Sequence, residues 1–447
     1  MKKFFTTLSN IWKIDDLRVR ITNTLLFLLI YRIGSFVVLP GVNPASLNNQ
    51  QNKEGITGLL NMFAGGSFSR ASIFALGVMP YISASIVVQL LGIAVPYFAK
   101  LQKEGESGRN KLNQYTRYLT IGITALQAIG YLKSQITTEQ MLIPNPYFTV
   151  LNMFVLTAGT MFIMWLGEKI TDKGIGNGIS LIIMVGIISA LPGAFFTEFE
   201  SRNLGSGGLV TFIVEIVALI GVVMFTILIV QGVRKIAVQY AKRIVGNKQY
   251  GGVRQYIPLK VNAAGVMPII FAQALMFIPA TVAGVFPRAA SNGIMISLSD
   301  YTSVGHNLLF AVLIIVFTYF YTAITINPNQ MADDMKKNGG FIPGVKPGKS
   351  TAEYIDGVIS RITLPGSIFL AIIAIIPAIA SMVHVTSAFA RFFGGTSLII
   401  LVGVVLDTLQ QIESHLLMRH YDGLMKTGRI KGRTAIPTAS GVSQPVI

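Results

Sequence analysis

The sequence predicts an all-α integral membrane protein of ten transmembrane helices, and three observations carry that expectation. Of 447 residues, 52% are hydrophobic and only 12% charged, about half the charged share of a soluble domain. The apolar residues gather in runs of the length a helix needs to cross a hydrocarbon core of roughly 30 Å. The Lys and Arg residues concentrate in alternate gaps between those runs, the asymmetry that orients membrane helices. An outer-membrane barrel would instead show strands of about ten alternating residues.

In chain order the spans read Thr22–Leu39, Leu76–Val95, Tyr115–Tyr131, Thr149–Gly167, Gly178–Leu191, Val210–Gln231, Val266–Val285, Leu308–Ile326, Thr363–Met382 and Thr396–Met418. The stretch before the first span, residues 1–21, is short, mixed in charge and without the apolar core of a cleavable signal, so the first span is expected to direct insertion. An even number of spans puts both termini on one side. All of the 36 Lys and Arg fall on that side except Arg32, Lys53, Arg70, Lys133, Arg202, Arg288 and Arg391. The positive-inside rule therefore predicts cytoplasmic termini, including the small, polar, proline-containing end of the 419–447 tail. The net charge of +17 is then the basic face of a multispanning protein rather than the mark of sequence-specific nucleic-acid binding, although ribosomal RNA has the complementary sign.

One membrane domain, 1–447, is expected, with no soluble module between spans. Two connections are long for helix–helix links. Residues 232–262 carry Arg234, Lys235, Lys242, Arg243, Lys248, Arg254 and Lys260 and no acid, while residues 327–361 combine Lys336, Lys337, Lys346 and Lys349 with acids and the turn-rich run GGFIPGVKPG. Positive-inside anchoring explains part of this basic excess. A docking surface explains it better, because long ordered loops are usually functional.

The second apolar stretch, Leu59–Val95, is nearly twice a span and cannot be one straight helix. Gly65, Gly66 and Ser67 interrupt it, and Arg70 in lipid would cost about 2.5 to 3.5 kcal/mol. Irregular backbone at membrane depth survives only inside protein or beside a water-filled cavity. A half-helix over residues 59–74, dipping in from the outer side, is the expectation; a static re-entrant element fits the same hydropathy.

Chemistry-bearing residues are sparse. Glu215 and Asp407 lie within spans among aliphatic neighbours and read as structural hydrogen-bonding groups rather than a proton path, which would need several ionisable groups together. His306, His384, His415 and His420 have no metal-ligand spacing, and zero cysteines exclude thiol chemistry. No cofactor and no enzymatic activity are expected. Val78 with Ile82, and Ile179 with Ile183, occupy single helix faces four residues apart. By pattern alone such stripes are ordinary packing.

Particular segments go further. YRIGSF (31–36), NMFAGGSFSRASIFALGVMPYISASI (61–86), KEGESGRNKLNQYTRY (103–118), MWLGEKITDKGIGNGIS (164–180), QYAKR (239–243), IPLKVNAAGVMP (257–268), INP (326–328), GFIPGVKPG (340–348) and FGGTSLII (393–400) follow one another across nearly all spans and both long loops. In this the chain closely resembles the SecY family, the large subunits of the bacterial Sec translocon. The resemblance implies two inverted five-helix halves, 22–191 and 210–418, around an hourglass pore in the bacterial inner membrane, through which unfolded secretory polypeptides pass. It places a constriction ring at Val78, Ile82, Ile179, Ile183, Ile270 and Ile400, where branched side chains resist ion flow yet offer a sliding chain no fixed hydrogen bonds. It assigns a plug that closes the outer funnel to the half-helix, with Leu60, Asn61, Met62, Phe63, Gly65, Gly66 and Arg70. Gln89 and Asn262 flank a lateral opening between the second and seventh spans, through which transmembrane segments reach lipid. Lys242, Arg243, Lys248, Arg254, Lys260 and Lys346 would dock the ribosome or the SecA motor. Lys346 departs from the family, which usually has arginine there, and gives up the planar fork for bidentate contacts. The small SecE and SecG subunits and signal peptides complete the expected partners. The competing reading is a secondary transporter, which shares inverted repeats and broken helices but needs a polar midplane site.

Overall fold

The computed structural model describes residues 12, 14–44, 56–137, 140–204, 208–240, 243–245, 248–250, 254–285, 293, 297–298, 300, 302–383 and 385–426. Ten long helices occupy the regions of the ten apolar runs: α1 (Asp15–Gly34), α3 (Met79–Ala94), α5 (Glu106–Gln135), α6 (Tyr147–Lys173), α7 (Gly178–Leu204), α8 (Gly208–Gln231), α9 (Met267–Val285), α10 (Val304–Thr325), α12 (Lys349–Met382) and α14 (Gly395–Lys426). Shorter helices α2 (Ile56–Phe63), α4 (Pro96–Lys103), α11 (Pro328–Lys337) and α13 (Ser387–Ala390) link them. Among the described residues, six helices are long and apolar enough to cross a membrane, and Met79–Ala94 with Pro96–Gln102 forms a seventh candidate bent by 104°. Charge explains why α1 falls short, since it carries Asp15, Asp16, Arg18, Arg20 and Arg32, whereas α3 by itself has 16 residues.

Several helices overrun their apolar stretch. α5 starts at Glu106, well before Tyr115, and α7 continues through Pro192 to Leu204 rather than stopping at Leu191. At 1.5 Å per residue the 34 residues of α12 span about 50 Å, so its polar end stands outside any hydrocarbon layer. The expected half-helix at 59–74 is corrected in extent. Helix α2 stops at Phe63, and the chain continues as turns and a bridge to Val78. The cause is local: Gly65, Gly66, Ala71 and Gly77 all take positive φ, which no α-helix accommodates.

The two long loops are not irregular, and to that extent the all-α expectation is incomplete. Strand β1 (Val233–Tyr240) pairs antiparallel with β4 (Arg254–Lys260), from Val233 opposite Lys260 to Gln239 opposite Arg254. The short strand β5 (Gly340–Phe341), from the second loop, takes the other edge of β1. Between β1 and β4, β2 (Arg243–Val245) and β3 (Lys248–Tyr250) form a hairpin. Ile236 and Val238 point inward at strand period and meet Leu259, Met335, Ile342, Ile355 and Ile359 in a small core. The two loops are thus one platform, seated on α11 and the start of α12.

In the helical body, α3 and α5 of the first half pack against α9 of the second, and α7 packs against α8 and α14. The largest apolar core lies where those helices converge.

Candidate functional site

Four helices from both halves bring aliphatic side chains to one point. Pro80 sits in the first turn of α3, where its missing N–H costs nothing, and the Val78 carbonyl accepts the Ile82 N–H at 3.1 Å, so the two side chains lie one turn apart. Ile183 comes from α7, Ile270 from α9 and Ile400 from α14. These five residues, all buried, line one cavity together with Leu60, Phe63 and Ala64. Its free volume is about 20 Å³, little more than one water. Among the described residues, Gln273 is the one polar side chain in the lining. Ile179 does not join the other five: its side chain packs on α6, where a Cβ on Gly167 would come within 2.9 Å of the Ile179 Cγ1.

Helix α2 and its following turn cap this cavity. Asn61 Oδ1 accepts the Ser69 N–H at 2.9 Å and the Ser69 hydroxyl at 2.8 Å, closing the turn on itself. The Gly65 carbonyl accepts Arg32 Nη1 at 2.7 Å and Arg70 Nη2 at 2.8 Å, and Tyr131 donates its hydroxyl to the Phe68 carbonyl at 2.7 Å. Met62 and Phe63 are buried. Gly186 of α7 allows this close seat, since a Cβ there would lie 2.6 Å from the Phe63 carbonyl. Polar contacts to backbone therefore hold the rim, and apolar contacts alone fill the centre.

On the side toward the sheet the cavity gives way to a second, polar one of about 280 Å³, lined by Asn177, Lys260, Asn262, Ile270, Asp407 and Thr408 among others. Asp407 is exposed there, not buried among aliphatic neighbours. Asn262 is 4% exposed and neither side-chain polar atom has a hydrogen-bond partner, while Gln89 donates to Ser85 Oγ at 3.3 Å; the two amides are not bonded to one another. Lys260 reaches Gln410 Oε1 at 3.1 Å. Arg254 and Lys346 are exposed on the sheet platform. Lys242 lies outside the described residues, and of Arg243 and Lys248 the backbone alone is described, in the hairpin strands.

The opposite end holds a feature that sequence reasoning missed. Glu215 does not stand alone: Arg202 donates to it at 2.6 Å and to Glu198 at 2.9 Å, with all three side chains under 10% exposed. Glu198 Oε2 also accepts the Thr386 N–H at 2.9 Å and the Thr386 hydroxyl. This cluster ties α7 to α8 and to the segment before α13. Its signal was available, a Glu and an Arg four residues apart, but ending the fifth span at Leu191 put Glu198 and Arg202 in a loop.

Comparison with known proteins agrees with this architecture. The SecY family profile matches residues 72–409. The protein translocase subunit SecY of Halalkalibacterium halodurans is 46% identical over 434 residues, covering 94% of this chain and all of its own. A solved protein-conducting channel superposes with a TM-score of 0.67 at 18% identity, over 93% of this chain and 95% of that one. Sec61 in a canine ribosome–channel complex from the endoplasmic reticulum gives 0.63 at 18%, with the same coverage of both chains. Profile, sequence and fold converge, and the chain belongs to the SecY family.

Proposed function

We propose that this chain is the protein-conducting channel of a Sec translocon, passing unfolded secretory polypeptides through the point where Val78, Ile82, Ile183, Ile270 and Ile400 meet. The observation that carries this is the combination of a nearly filled, almost wholly aliphatic cavity with a short capping helix that ends in a glycine-containing turn. Apolar side chains seal by contact, separate without leaving charges unpaired, and hold no particular sequence. A small-solute transporter would need convergent polar groups at the same place, and among the described lining residues Gln273 is the one polar side chain.

In this reading the chain is a multi-pass protein of the bacterial inner membrane with both termini cytoplasmic. The sheet platform then faces the cytoplasm and α2 plugs the outer funnel. Helices α3 and α9, which pack together, would part to release transmembrane segments into lipid. The exposed cations Arg254 and Lys346 on the platform suit a ribosome or the SecA motor, and a ribosome-bound relative adopts the same fold. Signal peptides, SecE and SecG belong to the same proposal. The test is electrical. Replacing Ile82→Gly together with Ile183→Gly should raise the ion conductance of the resting channel in planar bilayers at least severalfold, and an unchanged conductance would show that these side chains do not form the seal.

A further inference from the structure

Helix α2 and the turn after it are held together by one set of bonds and held in place by another. Asn61 Oδ1 with Ser69, and Arg70 Nη2 on the Gly65 carbonyl, join parts of a single unit, residues 56–70, and would travel with it. Other bonds cross from that unit to the helices around it. Tyr131 of α5 donates its hydroxyl to the Phe68 carbonyl at 2.7 Å, Arg32 of α1 reaches the Gly65 carbonyl at 2.7 Å, and the Tyr31 hydroxyl stands 3.4 Å from the Ala64 carbonyl. Beyond the unit the chain is stitched to the segment after α1: the Leu39 N–H donates to the Ala71 carbonyl at 2.8 Å and the Ile73 N–H to the Val37 carbonyl at 2.9 Å. The boundary between the unit and its frame therefore falls at Ala71, whose φ of 46° lies in the left-handed region that alanine disfavours. Tyr131 is buried, and its ring meets the Phe68 ring edge-on at 4.8 Å. The Phe68 carbonyl also accepts the Ala71 N–H, but at 3.4 Å, too long to satisfy it. One phenol hydroxyl thus satisfies a buried carbonyl next to the strained boundary.

We propose that Tyr131 is a positioning residue whose hydroxyl latches the capping unit shut, and so sets how strong a signal peptide must be to open the channel. This rests on the channel reading above. With the unit seated, hydroxyl and carbonyl satisfy one another; with it displaced, both are free to bond elsewhere. Remove the hydroxyl, and the seated unit keeps a buried carbonyl without an adequate donor while the displaced unit loses nothing. The balance then moves toward opening. Tyr31 is the internal comparison, because its hydroxyl is equally buried but its contact at 3.4 Å lies beyond the range of a good O–H···O bond.

Planar-bilayer recordings of the full chain test it. Tyr131→Phe keeps the ring and should raise the frequency of spontaneous openings about tenfold, whereas Tyr31→Phe should change it by less than about twofold. Tyr131→Phe should also export a secretory polypeptide with a weakened signal peptide better than the unaltered chain does, a gain that a merely destabilised fold would not produce. The channel carrying Ile82→Gly and Ile183→Gly is recorded beside them. If that channel leaks and Tyr131→Phe opens no more often than the unaltered chain, the latch is overturned and the channel reading stands; if neither shows added conductance, both fall. Equal increases from the two tyrosine variants would overturn the latch as well, since loss of any buried hydroxyl would then suffice.

Discussion

The central constriction and the ion cluster at the junction of the halves are equally buried and chemically opposite. In the constriction, five aliphatic side chains from four helices touch around about 20 Å³ of space with no directed bond between them. In the cluster, Arg202 is clamped between Glu198 and Glu215, and Thr386 donates to the second oxygen of Glu198. Separating aliphatic groups exposes area; separating a buried ion pair strands a charge, which costs far more. The difference teaches where motion is cheap. A seal that opens repeatedly is best made of contacts without geometry, and the joint about which the halves are fixed is best made of contacts that tolerate none.

The largest effect that sharpens this contrast is at Arg202. Arg202→Met leaves Glu198 and Glu215 buried and uncompensated, and should lower unfolding free energy by about 3 to 5 kcal/mol, read from denaturation midpoints in detergent. Converting all three residues to apolar ones should restore much of that loss. A loss below about 1 kcal/mol in the single variant would break the contrast, because the cluster would then be no stronger than a surface pair. Asn262 lies between the two extremes, being buried yet unbonded. Asn262→Leu, close in volume, removes an unsatisfied amide and should stabilise the resting state by about 1 to 2 kcal/mol, seen as a higher midpoint and fewer spontaneous openings. The smallest effect is within the ring. Ile183→Val should cost about 1 kcal/mol and widen the seal by one methyl, measured as a slight rise in leak with normal assembly.

Much of this architecture was legible in the sequence, for physical reasons that differ by region. The ten helices follow from apolar runs and alternating basic gaps, because lipid imposes both. Their ends do not, since hydropathy marks where a helix meets lipid and not where it stops; α5 and α7 run on as polar helix. The interruption before the second long helix was legible because Gly65, Gly66 and Arg70 are unsuited to a lipid-facing helix. Its extent was not, for Ala71 and Gly77 add turns that no hydropathy value records. The meeting of Val78, Ile82, Ile183, Ile270 and Ile400 was beyond periodicity, since any aliphatic stripe looks alike; it came from resemblance. Ile179 shows the limit of that route, being one turn from Ile183 but committed to the Gly167 groove. The sheet platform was readable in the period-two burial of Ile236 and Val238, a signal overshadowed by the basic residues around it.

The chain has no cysteine, so one introduced by Ile183→Cys is a unique probe of the constriction. A secretory polypeptide arrested in transit should crosslink to it only when it carries a functional signal peptide. Absence of that crosslink, while the same polypeptide crosslinks to cysteines introduced at exposed positions on the sheet platform, would contradict a path through this ring.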